Sequence, residues 1–293
     1  MAGRVWGERD AGRGGAAGER ATSAPAQRLD VAAAARGLFP SREKAKEAIA
    51  AGLVFVNGRV AAKPSTLIVA TDALEVHGPT LRYVGRGGLK LERALATFHL
   101  DVTGARCVDL GASTGGFTDC LLQHGATHVC AVDVGHGQLA ACLAADPRVT
   151  SLEGTDARAV TPELLGGAVD VAVTDVSFIS LARVLPALAG TLRPTGTAVC
   201  LIKPQFEAGR AHVGKRGVVR DPAVHETVIA RVLEEARAAG LDPCGLDHSP
   251  ITGPEGNIEY LLCAVRWERD ALPAAREFDV AAVVRAAHEA LRR

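Results

Sequence analysis

The sequence predicts an α/β fold, in which a doubly wound, Rossmann-like parallel sheet follows a small α+β module. From Cys107 onward, apolar strand-like runs alternate with helical patterns, as in parallel strands joined by crossover helices. The first of these strands runs into a glycine-rich loop that opens a helix. Ahead of the sheet, alternating apolar residues flank Asn57-Gly58, which is a strong signal for a tight hairpin.

The N-terminal region divides into a tail and a compact module. Residues 1–26 are rich in Gly, Ala, Arg and Glu and show no periodicity, so we expect a disordered tail. Between residues 29 and 49 the apolar spacing predicts two short helices, with Ser41 as the N-cap of the second. The hairpin at Asn57-Gly58 follows them.

The sheet is expected to have five parallel strands and a closing hairpin. The five strands are predicted at 106–112, 128–134, 149–153, 170–176 and 196–203. A helix at 221–239 leads to two further strand-like runs near 243–251 and 258–267, and the turn at 254–256 makes them antiparallel. A C-terminal helix is predicted from an apolar face formed by Val280, Val283, Val284, Ala287 and Leu291.

The loop after the first strand predicts a nucleoside ligand. Its glycines are spaced Gly111-x-x-x-Gly115-Gly116, whereas a dinucleotide pyrophosphate favours Gly-x-Gly-x-x-Gly. This spacing suits S-adenosylmethionine better, with Asp109 placed to meet its positive charge and Asp133 to accept its ribose hydroxyls. The residues expected to bind this cofactor are Asp109, Gly111, Ala112, Ser113, Gly115, Gly116, Phe117, Asp133, Asp156 and Asp175.

Composition narrows the class of protein. No apolar run approaches the roughly 18–20 residues of a membrane helix, and no signal segment is evident, so we expect a soluble cytoplasmic protein. The seven cysteines form no Cys-x-x-Cys pair and are interpreted as reduced core residues, and no metal site is expected. Residues 1–100 hold 15 Lys/Arg against 9 Asp/Glu, although the whole chain is neutral. A basic front half suits a phosphate backbone, and an ordinary solvated surface remains an alternative.

Four charged residues carry the expected chemistry. Asp175 and Lys203 follow the fourth and fifth strands, whose carboxyl ends share one crevice, so they should meet beside the cofactor. Lys90 and Glu259 would complete the charge network. A hydroxyl is a poor nucleophile until its proton is taken, and a lysine among other charges can have its pKa lowered toward about 7–8. Lys203 would then act on the hydroxyl, oriented by Asp175, although a structural salt bridge is the alternative.

The N-terminal module resembles the S4 RNA-binding domain over residues 27–77. The matching motifs are Arg28-Leu29-Asp30, Ser41-Arg42-x-x-Ala45, Ile49-x-x-Gly52-x-Val54-x-Val56-Asn57-Gly58 and Lys63-Pro64-Ser65. The resemblance implies that Arg42, Lys44, Lys46 and Arg59 face an RNA backbone. Residues expected to contact RNA across the chain are Arg28, Arg42, Lys44, Lys46, Arg59, Arg86, Arg210, Lys215, Arg216 and Arg220.

The ordered set Lys90, Asp175, Lys203 and Glu259 resembles the Lys-Asp-Lys-Glu tetrad of FtsJ/RrmJ-type ribose 2′-O-methyltransferases. With the S4-like module, the whole is similar to the TlyA family of rRNA methyltransferases. Further motifs of that resemblance are Asp175-Val-Ser-Phe-Ile-Ser180, Lys203-Pro-Gln-Phe-Glu207 and Gly214-Lys-x-Gly217-Val-Val-Arg220-Asp221. The family tends to have Trp where this sequence has Tyr83. The resemblance implies methylation of cytidine in 16S or 23S rRNA, or in both, with ribosomal RNA or subunits as partners.

The expected domains are a tail (1–26), an S4-like domain (27–80), a linker (81–85), a methyltransferase domain (86–270) and a C-terminal helix (271–293). The loop from Glu207 to Arg220 is expected to be flexible and to close over RNA. Three alternatives remain at this point: a non-catalytic RNA-binding assembly factor, a small-molecule O-methyltransferase, and the haemolysin activity that an old family label suggests. The absence of Asn/Asp-Pro-Pro-Tyr after the fourth strand counts against methylation of a base amino group.

Overall fold

The computed structural model describes residues 26–39, 41–50, 52–61, 63–76, 82–267 and 274–291. The chain divides into two compact units, Met1–Gly78 and Pro79–Arg293. The expected disordered tail lies, apart from Ala26, outside the described residues. Within the part of the chain that is described, no helix is both long and apolar enough to cross a membrane.

The first unit is a small α+β module, as expected. Its elements are β1 (Gln27–Arg28), α1 (Leu29–Ala35), α2 (Arg42–Ala50), β2 (Val54–Val56), β3 (Arg59–Val60), β4 (Leu67–Ile68) and β5 (Leu74–Val76). Strand β2 is central in a β3-β2-β5 sheet, and β1 pairs with β4. Asn57 and Gly58 both have positive φ, 50° and 74°, which is the backbone of a type I′ hairpin. The Ser41 hydroxyl accepts the N–H of Lys44 at 3.3 Å, so the predicted N-cap is confirmed.

A buried carboxylate organises this first unit. Asp30 is fully buried on α1, and its two oxygens accept hydrogen bonds from Arg28 and Arg42, each at 3.0 Å. The bond from Arg28, followed by that from Arg42, lowers the pKa of Asp30 to about 2. Arg28 and Arg42, both expected to contact RNA, therefore also hold β1 and α2 to α1.

The second unit contains the predicted sheet. Its first half comprises α3 (Gly87–Thr97), β6 (Arg106–Leu110), α4 (Gly116–Gln123), β7 (His128–Asp133), α5 (Ala141–Ala144), β8 (Val149–Glu153) and β9 (Val169–Thr174). Its second half comprises α6 (Leu185–Thr191), β10 (Leu192–Ile202), α7 (Pro204–Glu207), α8 (Pro222–Ala238), β11 (Leu241–His248), β12 (Tyr260–Arg266) and α9 (Val280–Leu291).

The seven strands are ordered β11-β12-β10-β9-β6-β7-β8. Strands β6 to β10 are parallel, and β12 runs antiparallel to both β10 and β11, which confirms the closing hairpin. The chain order reverses between β6 and β9. In doubly wound sheets, this switch point opens the crevice in which ligands bind.

Several strand boundaries differ from the prediction, and two of them lie close to the site. Strand β10 begins at Leu192 rather than 196, because Leu192 pairs with Val169 before an irregularity that separates it from Thr197. Thr195 has φ 64° in that irregularity, and the Pro-Thr-Gly sequence there is typical of a turn. Strand β9 ends at Thr174, so Asp175 lies just beyond the last ladder pair.

Alternating side chains of the sheet build two apolar layers. Helices α6, α8 and α9 pack on one face, over residues such as Val108 and Ala172. Helices α3 and α4 pack on the other, over Cys107 and Val171. Burial on both faces explains the continuous apolar runs of the strands, and it leaves the carboxyl ends of the strands as the place for polar chemistry.

A buried histidine cluster lies between helices α8 and α9 and Tyr260 of strand β12. His225 on α8 is fully buried, with Nδ1 2.7 Å from the Tyr260 hydroxyl and Nε2 3.1 Å from the Val219 carbonyl oxygen. His288 Nε2 on α9 lies 3.3 Å from His225 Nδ1. Burial lowers the pKa of His225 to about 4; the Val219 carbonyl and Asp221 act against this shift, and His288 adds to it.

This depressed pKa predicts a pH dependence of stability. An unfolded histidine has a pKa near 6.5, so the unfolded chain binds an additional proton between about pH 6.5 and 4. The free energy of unfolding should therefore decrease on acidification across this window, by on the order of 1–3 kcal/mol for this group. The measurement is urea unfolding of the wild type and of His225→Gln at several pH values.

The variant serves as the control, because other groups titrate in both proteins. We expect the difference in stability between wild type and variant to narrow as the pH falls toward 4. A difference that stays constant across the window would contradict the burial of a neutral His225.

Candidate active site

The candidate site lies where three adjacent parallel strands end. Strands β10, β9 and β6 are neighbours in the sheet and run in the same direction. Lys203 follows β10, Asp175 follows β9, and the glycine loop follows β6. The topology therefore brings these three segments together at the carboxyl-terminal edge of the sheet, where the parallel strands end.

Four side chains form a row of alternating charge at this edge, in the order Lys203, Asp175, Lys90 and Glu259, and this row is called the charged chain below. Lys203 Nζ lies 2.6 Å from Asp175 Oδ1, and Lys90 Nζ lies 3.5 Å from Asp175 Oδ2. Lys90 Nζ also donates to Glu259 Oε2 at 2.6 Å. The expected meeting of Asp175 with Lys203 is confirmed, and Lys90 and Glu259 join them. The catalytic roles of the four residues stay predictions.

Three of these four side chains are buried, so each charge needs an opposite charge beside it. Lys90 is 7% exposed, Lys203 is 8% exposed and Glu259 is 1% exposed. Burial acts to lower the pKa of Lys90, but the attractions of Asp175 and Glu259 outweigh it and raise that pKa above its ordinary value. Lys90 therefore stays an ammonium ion, which suits a fixed cation rather than a proton acceptor.

Lys203 has further partners that the sequence did not point to. Its Nζ donates to the Ser177 hydroxyl at 2.8 Å and to the Asp175 carbonyl oxygen at 3.2 Å. Gln205, two residues beyond Lys203, donates through Nε2 to Glu259 Oε1 at 3.2 Å. Ser177 and Gln205 lie inside motifs noted in the sequence, and their place in those motifs was the only signal of a role.

An exposed aromatic side chain lies beside the charged cluster. Phe178 is 92% exposed and has φ 64°, a backbone region that bulky residues rarely adopt. Its ring centroid lies 5.1 Å from that of Phe206, which in turn lies 5.9 Å from Lys203 Nζ. A phenylalanine in a strained, solvent-facing position is more typical of a binding surface than of a core.

The glycine loop is close-packed on the first turn of α3. A Cβ at Gly116 would lie 3.0 Å from the backbone nitrogen of Gly88, and a Cβ at Gly88 would lie 2.2 Å from the Tyr83 ring. Tyr83 is itself buried. The Gly85–Gly88 segment therefore supports the loop, and this role was not recognised from the sequence.

The structure places Asp109 beneath the glycine loop. Asp109 is fully buried beneath the loop, and its Oδ2 accepts the backbone N–H of Thr118 at 2.9 Å and the Thr118 hydroxyl at 2.7 Å. Burial raises its pKa to about 7, against the opposing Thr118 hydrogen bonds. Asp109 Oδ2 thus holds the start of α4, and contact of Asp109 with a cofactor stays a prediction. Ala112 and Phe117 are likewise buried, so their side chains belong to the packing of the loop.

Asp133, at the end of β7, has groups that suit a nucleoside. The two Asp133 oxygens accept the backbone N–H groups of Ser113, at 2.8 Å, and Gly135, at 2.7 Å. Each oxygen retains a lone pair for a ribose hydroxyl. Val134, the next residue, is largely exposed and offers an apolar surface for a base. These residues therefore suit the nucleoside part of S-adenosylmethionine.

The loop that follows β7 is hydrogen-bonded to Glu153, the last residue of β8. Glu153 accepts the backbone N–H groups of Gly137, at 2.8 Å, and Gln138, at 3.2 Å, a role the sequence did not indicate. Asp156 caps a short 3₁₀ turn and pairs with Arg158 at 2.5 Å. Its contact with a cofactor stays a prediction, as do those of Gly111 and Gly115.

The basic residues expected to contact RNA occupy different settings. Lys46 pairs with Glu43 at 2.6 Å, whereas Arg59 lies exposed on β3. Arg86, at the start of α3, donates to the Thr252 carbonyl oxygen at 3.1 Å. The other four expected RNA contacts in the second unit are all exposed: Arg210, Lys215, Arg216 and Arg220.

The loop from Glu207 to Arg220 is anchored, whereas we expected it to be flexible. Asn257 donates through Nδ2 to the Gly217 carbonyl oxygen at 2.9 Å and accepts the Val219 N–H at 3.1 Å. Gly217 N–H bonds back to the Gly214 carbonyl oxygen at 2.8 Å, so Lys215 and Arg216 lie exposed on a closed turn. Burial of Val219 completes the anchor.

Comparison with known proteins adds two family matches. Residues 83–266 match the FtsJ-like methyltransferase family, and residues 27–74 match the S4 domain. The chain is 48% identical over 272 residues to YqxC of Bacillus subtilis, whose name carries the words rRNA methyltransferase; the match covers 91% of this chain and 95% of that protein.

Two further relatives agree with these matches. The 16S/23S rRNA (cytidine-2′-O)-methyltransferase TlyA of Mycobacterium tuberculosis is 50% identical over 236 residues, covering 80% of this chain and 88% of that protein. A solved structure from Streptococcus thermophilus, whose title carries the word hemolysin, has 46% sequence identity and a TM-score of 0.73. It covers 91% of this chain and 97% of that one. The chain therefore belongs to the FtsJ-like methyltransferase family, with an S4 domain ahead of its methyltransferase domain.

Proposed function

We propose that the chain transfers a methyl group from S-adenosylmethionine to a ribose 2′-hydroxyl of ribosomal RNA, with cytidine as the target nucleotide. The observation that carries the proposal is the row of alternating charge formed by Lys203, Asp175, Lys90 and Glu259, three of them buried, beside the glycine loop that Asp133 holds at Ser113. The relatives named as rRNA cytidine-2′-O-methyltransferases support the choice of substrate.

The charged chain separates two roles among its lysines. Lys90 is held between two carboxylates as a permanent cation, so it fixes Asp175 in place. Lys203 lies at the end of the chain, with Ser177 and Asp175 orienting its amine. An amine so held can hydrogen-bond a ribose hydroxyl and take or stabilise its proton as the oxygen attacks.

S-adenosylmethionine, when bound, supplies an electrophilic methyl group on a sulfonium. The protein's contribution is then chiefly positioning, because two reactants held in line gain several kcal/mol from orientation alone. Asp133 holds the nucleoside end and the Lys203 amine holds the acceptor oxygen. Methyl transfer to a hydroxyl needs a group such as this lysine to take or stabilise the proton. The Asn/Asp-Pro-Pro-Tyr sequence associated with methylation of a base amino group does not follow β9.

Phe178 supplies a surface for the target base. A nucleotide whose ribose reaches a buried site must leave its stack, and an aromatic ring can replace the lost stacking. Phe178 is exposed beside Lys203 and backed by Phe206, so a base stacked on it would place its ribose near the amine.

Binding of the rest of the RNA is assigned to basic residues outside the charged chain. The S4 unit offers Arg59 and the exposed parts of Arg28 and Arg42. The second unit offers Lys215 and Arg216, on the turn anchored by Asn257. Contacts of this kind bind phosphates regardless of sequence and weaken with salt.

The proposal is tested by mapping the methyl group. Purified protein is incubated with methyl-labelled S-adenosylmethionine and ribosomal subunits, and the labelled nucleoside is identified by mass spectrometry. We expect label on the 2′-oxygen of a cytidine, and loss of at least about 10³-fold in rate for Lys203→Ala and Asp175→Ala, since each removes a group at the reacting atoms.

Two controls accompany this experiment. Binding of S-adenosylmethionine, measured by calorimetry, should stay within a few-fold of wild type in both variants, because neither residue holds the nucleoside end. Label on a base, or near-normal turnover of Lys203→Ala, would contradict the proposal. RNA binding without methyl transfer by the wild type would point instead to a non-catalytic assembly factor.

The basic turn generates a separate prediction. Lys215→Ala with Arg216→Ala should reduce methylation of subunits by about tenfold or more and flatten its salt dependence, because two phosphate contacts are lost. Affinity for S-adenosylmethionine should not change. The matched control is Arg237→Ala, which removes a cation from the far end of α8; unchanged turnover of the double variant would make the turn a mere connector.

A further inference from the structure

Glu207 is a buried carboxylate that the proposed chemistry does not use. It ends α7, the short helix that begins immediately after Lys203, and its side chain is 2% exposed. A buried ionised group needs strong partners. Each of the partners of Glu207 belongs to another segment of the second unit.

The carboxylate joins two segments to α7. Its Oε1 accepts the backbone N–H of Leu181 at 2.6 Å, and its Oε2 accepts the Ser180 hydroxyl at 2.9 Å. On the other side, Arg231 of α8 donates to Glu207 Oε2 at 3.2 Å and to the Glu207 carbonyl oxygen at 2.6 Å. Glu207 therefore fastens the segment after β9 to α8.

The fastened segment is the one that carries Ser177 and Phe178. A 3₁₀ turn begins at Leu181, and the Ser180 side chain makes no capping bond to it. The first N–H groups of such a turn have no partner within the turn, so Glu207 acts as an external cap. Phe178, three residues earlier, has the unfavourable φ of 64°. A strained residue persists only where its surroundings fix the backbone on both sides.

The two anchors of this segment are close together in the sequence. Lys203 holds its start through Asp175 and Ser177, and Glu207 holds its end through Ser180 and Leu181. Phe206, between them, packs on Phe178 in the middle. The stretch 203–207 thus contacts the stretch 175–181 at three points, of which Glu207 is the last.

We propose that Glu207 is a positioning residue for substrate RNA: by capping the turn at Leu181 it holds Phe178 in its exposed conformation beside Lys203. This inference rests on the proposed function, and it adds a residue that acts through Phe178 without touching RNA. Loss of the carboxylate frees the segment, Phe178 leaves its strained conformation, and the target base loses its stacking surface. The cofactor crevice at Asp133 is unaffected.

The test combines amide exchange with a double-substitution cycle. In Glu207→Ala we expect exchange at Leu181 and its neighbours to accelerate about tenfold or more. The kcat/KM for RNA should fall about tenfold or more, while the affinity for S-adenosylmethionine stays within about twofold. In the Phe178→Ala background, Glu207→Ala should cost little more, about twofold or less, because both substitutions remove the same surface.

Two variants guard against a merely structural effect. Glu207→Gln keeps an oxygen for the Leu181 N–H and should restore part of both the exchange protection and the kcat/KM. Glu235→Gln is the matched control, because Glu235 also pairs with Arg231, at 3.5 Å, but makes no described contact with the 175–181 stretch. It should behave as wild type.

Two results would overturn the inference. One is wild-type exchange at Leu181 in Glu207→Ala; the other is a cycle in which the Glu207 and Phe178 effects on kcat/KM multiply independently. The exchange measurement uses the protein without RNA. If the wild type methylates no RNA, the proposed function fails, and exchange alone then decides whether Glu207 holds the segment.

Discussion

The second unit depends on one constraint, the close packing of four titratable side chains in an order of alternating formal charge, three of them buried. A single buried ion costs several kcal/mol, and this cost is recovered only where opposite charges and hydrogen bonds surround it. Lys203, Asp175, Lys90 and Glu259 satisfy the constraint together. Lys203 and Asp175 directly follow β10 and β9, Lys90 lies on α3, and Glu259 directly precedes β12. Removing any one of them leaves an unbalanced charge among its neighbours, so the elements that carry them are placed by one another.

The neighbouring parts of the site follow from the position of α3. Lys90 can reach Asp175 and Glu259 only if the first turn of α3 lies on the glycine loop, and the close approach of Gly88 to Gly116 permits this. The loop is held from below by Asp109, which binds the first turn of α4, and from the side by Asp133. The crevice proposed for a nucleoside and the charged chain proposed to act on a hydroxyl are therefore built from shared supports. This shared construction places the proposed chemistry and the proposed cofactor binding close together.

Much of this arrangement was predictable from the sequence. The strand pattern, the hairpin at Asn57-Gly58 and the approach of Asp175 to Lys203 all follow from periodicity and from the rule that parallel strands end at one edge. Side-chain direction was less accessible. Asp109 was expected to meet a cation because it stands before the glycines, but its burial against Thr118 could not be foreseen from the sequence. Glu207 and Phe178 lie inside motifs noted in the sequence, but their roles could not be predicted, because capping across segments and strained exposure depend on tertiary contacts. The apparent flexibility of the 207–220 loop was inferred from its glycines, whereas Asn257, about 40 residues away, holds it.

The central claim is that the Lys203 amine meets a ribose hydroxyl in a site whose charges are already in place. The most direct measurement is a structure of the protein bound to a ribosomal subunit and to S-adenosylhomocysteine, the demethylated product of the cofactor. The account predicts the 2′-oxygen of an extruded cytidine within about 3 Å of Lys203 Nζ, its base on Phe178, and Asp175, Lys90 and Glu259 paired as they are in the free protein. A base amino group at Lys203, or a charged chain that rearranges to admit the nucleotide, would contradict it.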